Sequence, residues 1–128
     1  ADFTPAGAKV IPLAVRGGFP SPFMDEAAEK YREFLAGRDV GLIKIPVWAN
    51  CNAEPYGDDV WSLMETQINH PVRFEQIIRN MANTGVDTFI EVGPGQTLSK
   101  FVKKILPDAT TLHAETPEEI AAVKEVLA

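Results

Sequence analysis

Apolar residues recur along this chain at two different spacings. From residue 23 to 35 they recur every three or four positions, which predicts a helix with one apolar stripe. Short apolar or β-branched runs at residues 9–15, 42–49, 88–92 and 110–114 predict strands. Further amphipathic segments lie between these strands. Strands alternating with helices predict the α/β class, with a mainly parallel sheet covered by helices on both faces.

Residues typical of helix ends mark where these elements begin and stop. Ser21 with Pro22 predicts the start of the first helix, and Gly37 predicts its end. Asp58 or Asp59 predicts the start of a second helix, and Pro71 and Gly85 the two ends of a third. Thr116 followed three residues later by Glu119 predicts a capping box on the last helix.

Length and composition narrow the classes of function. A chain of 128 residues suits one domain, 1–128, with a core of its own. A net charge of −6 disfavours nucleic acid, and no apolar run reaches the length of about 20 residues that spans a membrane. Cys51, His70 and His113 are too few for a structural zinc site, so no metal and no cofactor are expected. Nothing in the first residues resembles an export signal, so the cytosol is the expected location.

Five segments resemble one enzyme family in order and spacing. Residues 15–24 read V-R-G-G-F-P-S-P-F-M, and residues 45–55 read I-P-V-W-A-N-C-N-A-E-P. Q-I-N-H-P-V-R-F follows from residue 67, then E-V-G-P-G-Q-T-L from residue 91, and a lysine-bearing helix that leads into L-P-D-A. Together these segments resemble the acyltransferase domains of malonyl-CoA:acyl-carrier-protein transacylases.

The resemblance implies part of a larger fold. The family has an α/β-hydrolase-like subdomain interrupted by a small ferredoxin-like one. Residues 1–15 resemble the end of the small subdomain, and the chain from Ser21 onward resembles the C-terminal part of the large one. By resemblance, the nucleophile elbow, the oxyanion-hole glutamine and the malonyl-binding arginine belong to the N-terminal portion, which this chain does not match.

The resemblance also indicates where catalytic groups should stand. Pro20 occupies the family's histidine position, and proline has neither a basic side chain nor an N–H group. Gln67 matches the residue whose main-chain carbonyl orients that histidine. Ser21, Ser62 and Ser99 lie outside any G-x-S-x-G motif, so no nucleophile is expected among them. His70 is either a substitute base or a neighbour of a helix start, and His113 is expected to be structural.

Several residues remain candidates for binding. Arg16, with Gly17 and Phe19 of the same turn, could hold a carboxylate, thioester or phosphate, or Arg16 could be a solvated side chain. Lys100, Lys103 and Lys104 share a helix face that could dock an acyl carrier protein or coenzyme A, or could only complement the helix dipole. Gly93-Pro94-Gly95 is expected to be a structural turn rather than an anion site, and Cys51 a small buried thiol.

Two functions follow from these observations. The leading hypothesis is the C-terminal portion of a transacylase-like protein of fatty-acid or polyketide synthesis, with malonyl-CoA and acyl carrier protein as partners by resemblance. As given, the chain is predicted to be inactive, and histidine at position 20 alone is predicted not to restore transfer. The alternative is a non-catalytic module that binds a carrier protein or a complementary half. A bare fragment would instead self-associate through exposed apolar surface.

Overall fold

The fold is known from a computed structural model that describes Gly7 and residues 19–128. The predicted strand at residues 9–15 and the candidates Arg16 and Gly17 lie outside these described residues. A short 3-10 helix, Pro22–Met24, precedes the regular elements. These elements are, in chain order, α1 (Asp25–Leu35), α2 (Val60–Thr66), α3 (Phe74–Asn83), β1 (Thr88–Val92), α4 (Thr97–Ile105), β2 (Thr110–Ala114) and α5 (Pro117–Leu127).

The two strands form a parallel pair joined by a helical crossover. Thr88 lies opposite Thr110, and Val92 lies opposite Ala114. Helix α4 connects the strands and packs against both of them, while α3 packs on α4 and α5 packs on β2. A β–α–β unit of this kind requires such a crossover, since parallel strands cannot be joined by a tight turn. The predicted α/β class with a parallel sheet is confirmed.

Helix α1 begins and ends close to its predicted bounds. Pro22 opens the 3-10 helix, and the α-helical turns follow from Asp25. Ser21 is extended at the N-cap position, but its hydroxyl makes no capping hydrogen bond; only its carbonyl accepts the N–H of Met24, at 2.9 Å. Gly37 follows the helix with a φ of +76°, a backbone geometry that glycine adopts without steric cost.

The predicted strand at residues 42–49 is wrong. Within the described residues this segment has no strand partner, and its one sheet-like contact is an isolated bridge between Trp48 and Pro55. Leu42, Ile45 and Val47 are exposed instead. A strand is stable only when its N–H and C=O groups are paired, and Pro46 has no N–H to pair. The apolar run therefore has no neighbouring strand among the described residues.

The predicted start of the third helix is also wrong. Pro71 does not open α3, which begins three residues later at Phe74. The N–H of Arg73 donates to the carbonyl of Asn50 at 3.0 Å, and Arg73 has a ψ of 51°, outside helical geometry. A tertiary hydrogen bond therefore holds residues 71–73 outside the helix.

The remaining boundaries agree with the sequence. Asp59 precedes α2, although its side chain forms no cap, and Gly85 follows α3 with a φ of +97°. At the start of α5 the Glu119 N–H donates to Thr116 Oγ1 at 3.3 Å, and the Thr116 N–H donates to Glu119 Oε2 at 3.0 Å. The predicted capping box is present.

The core of the described region is small. Its buried apolar residues are Ala28, Leu35, Ala49, Cys51, Ala53, Ile77, Ile78 and Val102. Neither β1 nor β2 contributes a buried residue, although parallel sheets are normally covered on both faces. Large apolar side chains such as Phe23 and Val92 stay exposed. Among the described residues, the sheet therefore lacks part of the covering that is usual for its class.

Candidate functional site

The side chain of Gln67 makes two hydrogen bonds to a loop. By resemblance, Gln67 matches the family's histidine-orienting glutamine. Its Nε2 donates to Tyr56 Oη at 2.5 Å, and its Oε1 accepts the N–H of Asn50 at 3.1 Å. Both partners lie in the turn-rich loop after residue 48. Burial raises the pKa of the Tyr56 phenol, and the hydrogen bond from Gln67 lowers it. These two hydrogen bonds hold the loop against the end of α2.

The same loop is held from α3. Asn80 Nδ2 donates to the carbonyl of Ala53 at 2.9 Å and to Glu54 Oε1 at 3.3 Å. Ala53 is fully buried and has a φ of +62°, a strained geometry for a residue with a side chain. Cys51 is a buried thiol, as the sequence predicted, and its Sγ lies 3.9 Å from the Leu63 carbonyl. The N-C-N-A segment is therefore a rigid element of the fold.

None of the backbone hydrogen bonds among the described residues ends on the main-chain carbonyl of Gln67. Helix α2 ends at Thr66, and the residue four positions after Gln67 is Pro71, which has no N–H to continue the helical ladder. The fold thus leaves this carbonyl available to accept a hydrogen bond. By resemblance, that is the group that would orient a catalytic imidazole.

No imidazole stands at the matching position. Pro20 is exposed and lies two residues before the 3-10 helix. His70 is exposed, and its Nδ1 lies 2.9 Å from the Thr66 carbonyl and 2.7 Å from Asn69 Oδ1. Asn69 Nδ2 in turn donates to Asp25 Oδ1 at the start of α1, at 2.8 Å. His70 therefore lies on the side of the fold where α1 begins, held by its own helix end.

The three serines are placed as structural residues. Ser62 lies within α2, and Ser99 lies within α4, where its hydroxyl is 3.5 Å from the Leu112 carbonyl. Ser21 Oγ is buried without a hydrogen-bond partner in the described region. None of the three hydrogen-bonds to a histidine of that region, so no nucleophile–base pair forms there.

The Gly93-Pro94-Gly95 turn is occupied by the chain's own carboxylates. Glu91, at the end of β1, accepts the N–H groups of Leu98 at 3.1 Å and Ser99 at 2.8 Å. These hydrogen bonds, with that of Ser99 the largest cause, lower the Glu91 pKa. Gly95 donates its N–H to Glu115 Oε2 at 3.2 Å. Because carboxylates already take the amides that an anion would need, the geometry favours the structural turn.

His113 ties the same turn to the last helix. Its Nε2 lies 2.9 Å from the Gly93 carbonyl, and its Nδ1 lies 3.0 Å from Glu119 Oε1. Both ring nitrogens face acceptors, which suits the doubly protonated ring. Glu119 first, and then the Gly93 carbonyl, raise the His113 pKa, and the Glu119 pKa falls to about 2, chiefly through its bond with the Thr116 N–H. His113 is a structural residue, as expected.

The lysine face of α4 is exposed. Lys103 Nζ donates to the Ala109 carbonyl at 3.0 Å, so this lysine also closes the end of the helix. Lys100 and Lys103 border a cleft of about 250 Å³ beside β2, and Lys104 is exposed next to them on the helix. The three ammonium groups can therefore face one partner.

A larger cleft of the described region lies away from these motifs. It has a volume of about 450 Å³ and lies between residues 39–43 and residues 56–61. Its acidic groups, Asp39 and Asp58, have no basic or nucleophilic partner in the lining. The described residues also hold no cluster of three or more metal-ligating side chains and no helix long and apolar enough to cross a membrane.

Two roles were missed from the sequence. The side-chain hydrogen bonds of Gln67 could not be read from a linear motif, because their partners lie 11 and 17 residues away. The capping role of Glu91 did leave a signal: an acidic residue stands inside an otherwise apolar strand, directly before a glycine turn and a helix.

Comparison with known proteins extends the resemblance to nearly the whole chain. The malonyl CoA-acyl carrier protein transacylase of Bacillus subtilis is 40% identical over 124 residues, which are 94% of this chain and 39% of the relative. The Clostridium perfringens malonyl CoA-acyl carrier protein transacylase superposes with a TM-score of 0.89 at 34% identity, over 98% of this chain and 40% of that one. A malonyl-transacylase solved with a type II PKS acyl-carrier protein gives a TM-score of 0.86 at 27% identity, over 95% and 41%.

The chain thus spans about two fifths of the length of these relatives, and no family model matches it. The matched region is the C-terminal part of the relatives. Sequence and fold together place the chain in the malonyl CoA-acyl carrier protein transacylase family, where it corresponds to that C-terminal part.

Proposed function

We propose that this chain serves as the C-terminal part of a malonyl-CoA:acyl-carrier-protein transacylase-like protein of fatty-acid or polyketide biosynthesis. The observation that carries the proposal is the match over 124 residues to the Bacillus subtilis enzyme, together with a fold that superposes on such enzymes.

The chain by itself is proposed to be unable to transfer malonyl groups. Acyl transfer through an enzyme ester requires a serine oxygen that attacks the thioester carbonyl, a base that takes the serine proton, and donors for the oxyanion. Pro20 supplies no base, and no serine of residues 19–128 is paired with a histidine. The chain would therefore contribute Gln67 and its scaffold, while the nucleophile would come from a segment that this chain does not match.

The experiment is incubation of the purified chain with malonyl-CoA and a phosphopantetheine-bearing carrier protein, followed by intact-mass measurement of both proteins. The Bacillus subtilis relative serves as the active control. No malonyl adduct is expected on the chain, on its Pro20→His variant, or on the carrier protein above background. A covalent malonyl adduct on the chain would refute the proposed lack of activity.

A second function, docking of a carrier protein, is supported by the lysine face of α4. Lys100, Lys103 and Lys104 concentrate positive charge on a chain whose net charge is −6. An acidic carrier protein would be attracted to this face, with an affinity that falls as salt rises. The matched test replaces one of these lysines, Lys100→Glu, and compares it with Lys124→Glu on α5.

Titration with carrier protein should show binding that Lys100→Glu weakens several-fold and Lys124→Glu leaves unchanged. Lys100 is preferred to Lys103 for this test because Lys103 also bonds the Ala109 carbonyl. Equal loss of affinity in both variants would indicate a general effect of net charge and would refute docking at the lysine face of α4. If the unaltered chain does not bind the carrier protein, the second function is refuted.

A further inference from the structure

His113, on β2, contacts two other parts of the fold through its ring nitrogens. Its Nε2 lies 2.9 Å from the carbonyl of Gly93, which begins the turn between β1 and α4. Its Nδ1 lies 3.0 Å from Glu119 Oε1 on α5. The His113 side chain is only 9% exposed, so water has little access to these contacts. Each nitrogen therefore faces an acceptor from a different element.

Only the doubly protonated ring can donate to both acceptors. A neutral imidazole has one N–H group and one unprotonated nitrogen. In the neutral ring of His113, one nitrogen would face an oxygen atom at hydrogen-bond distance with no proton between them. Loss of a proton therefore breaks one of the two contacts.

The contact with Gly93 is the weaker of the two. A hydrogen bond to a carboxylate is roughly twice as strong as one between neutral groups. The Glu119 carboxylate is also fixed in place, because its Oε2 accepts the N–H groups of Glu115 and Thr116, each at 3.0 Å. The remaining proton should therefore stay on Nδ1, and the unprotonated Nε2 would face the Gly93 carbonyl.

Charged side chains of the described elements surround the ring. They are Glu91 opposite it on β1, Glu115 after β2, Glu119 on α5, and Lys100 and Lys103, which border the same cleft on α4. The hydrogen bond with Glu119 first, and then that with the Gly93 carbonyl, raise the pKa of His113 above its ordinary value. The loss of the proton is therefore expected above about pH 6.5.

We propose that His113 is a proton-dependent switch that holds the Gly93-Pro94-Gly95 turn against α5 when both ring nitrogens are protonated and releases the Gly93 carbonyl when Nε2 loses its proton. The proton passes from Nε2 to solvent, while Nδ1–H and the Glu119 carboxylate keep their bond. The inference stands on these contacts alone and does not depend on the proposed function.

The opening is local. The turn keeps the hydrogen bond from the Gly93 N–H to the Ala114 carbonyl at 3.3 Å and that from the Gly95 N–H to Glu115 Oε2 at 3.2 Å. Helix α4 begins at Thr97, two residues after the turn. Release of the Gly93 carbonyl therefore loosens the turn and the start of α4 without separating the strands.

Nuclear magnetic resonance of the nitrogen-15-labelled chain from about pH 5 to about pH 9 tests the switch. Above the midpoint of the His113 titration, Nδ1 should remain protonated and Nε2 should not. Amide protection of Gly93 and Gly95, corrected for the intrinsic pH dependence of exchange, should fall about two- to tenfold across that midpoint, as for loss of one hydrogen bond. The Ile77 amide, which donates to the Arg73 carbonyl on α3, should keep its protection.

Glu119→Gln separates the switch from a general effect of charge. The oxygen of glutamine can still accept the backbone N–H groups that start α5, and its NH2 group can donate to Nδ1 of His113. A neutral ring then keeps its proton on Nε2, bonded to Gly93, so the protection of Gly93 should not change with pH. Glu118→Gln, at an exposed position of the same helix turn, changes the net charge equally and should leave the switch unaltered.

The possible results support or overturn the inference. A neutral ring of the unaltered chain that carries its proton on Nε2, or Gly93 protection that does not fall across the midpoint, would overturn it. So would a fall that persists in Glu119→Gln or disappears in Glu118→Gln. If Glu119→Gln does not fold, His113→Gln replaces it: without a titrating ring the protection of Gly93 should not change with pH, and a persisting fall would overturn the inference.

Discussion

Replacing Gln67 by methionine tests whether one side chain holds the loop after residue 48. Methionine has nearly the same length and volume as glutamine but neither donates nor accepts a strong hydrogen bond. The substitution therefore removes the bonds to Tyr56 Oη and to the Asn50 N–H without opening a cavity. The main-chain carbonyl of residue 67 is unchanged.

The expected loss follows from the two hydrogen bonds. A typical intramolecular hydrogen bond contributes about 0.5–1.5 kcal/mol, so Gln67→Met should lower the free energy of unfolding by about 1–3 kcal/mol. Tyr56→Phe removes only one of the bonds and should cost about 0.5–1.5 kcal/mol. The double variant should cost no more than Gln67→Met, because both changes remove the same Tyr56–Gln67 bond.

Urea unfolding followed by circular dichroism measures these differences, with Gln76→Met on the exposed side of α3 as the matched control. The control should lie within about 0.5 kcal/mol of the unaltered chain. A Gln67→Met variant as stable as that control would refute the reasoning. So would full additivity with Tyr56→Phe, because it would mean that the two side chains do not interact.

Three further results are expected. Because the pKa of His113 is raised, the stabilisation that its charged ring provides is complete at low pH and is lost as pH rises through the folded-state pKa. Because the pKa of Glu119 is lowered to about 2, the stabilisation that its carboxylate provides is complete above about pH 4.5 and is lost as pH falls below that value. The urea midpoint of the unaltered chain should therefore be highest near pH 5–6, and the midpoint of Glu119→Gln should depend less on pH. An unchanged pH profile in Glu119→Gln would show that the His113–Glu119 pair does not cause the pH dependence. Thr116→Ala should lower stability by about 0.5–2 kcal/mol through loss of the cap, whereas no loss in urea unfolding would show that α5 does not depend on it. Cys51, which is buried, should react with a thiol reagent only as the chain unfolds, and fast reaction in the folded state would contradict its placement.

The sequence predicted best where local chemistry decides the structure. The bounds of β1 and β2 and the capping box at Thr116 follow from β-branched runs and from a four-residue motif, and the structure has them where they were predicted. The end of α3 at Gly85 is likewise a local matter, because its φ of +97° favours glycine.

Prediction failed where a distant partner decides. Residues 42–49 have strand-like composition but no neighbour to pair with in the described region, and the start of α3 is delayed by the bond from Arg73 to Asn50. The hydrogen bond between the Gln67 side chain and the Asn50 N–H, and that between the Glu91 carboxylate and the Ser99 N–H, depend in the same way on residues brought together by folding. Arg16 and Gly17 lie outside the described residues, and Phe19 is 68% exposed, so their proposed part in binding substrate stays a prediction.

The central claim is tested most directly by a chimera of the Bacillus subtilis transacylase in which this chain replaces the matched C-terminal part. The chimera retains the relative's own N-terminal part, so position 20 of the transplanted segment becomes the main difference in acid–base chemistry. Transfer of malonyl from malonyl-CoA to carrier protein is measured with Pro20 and with Pro20→His. A positioned base contributes about 10²–10⁴-fold to such a reaction. The account predicts that the Pro20 chimera is slower than the Pro20→His chimera by about that factor, and equal rates for the two active chimeras would contradict it.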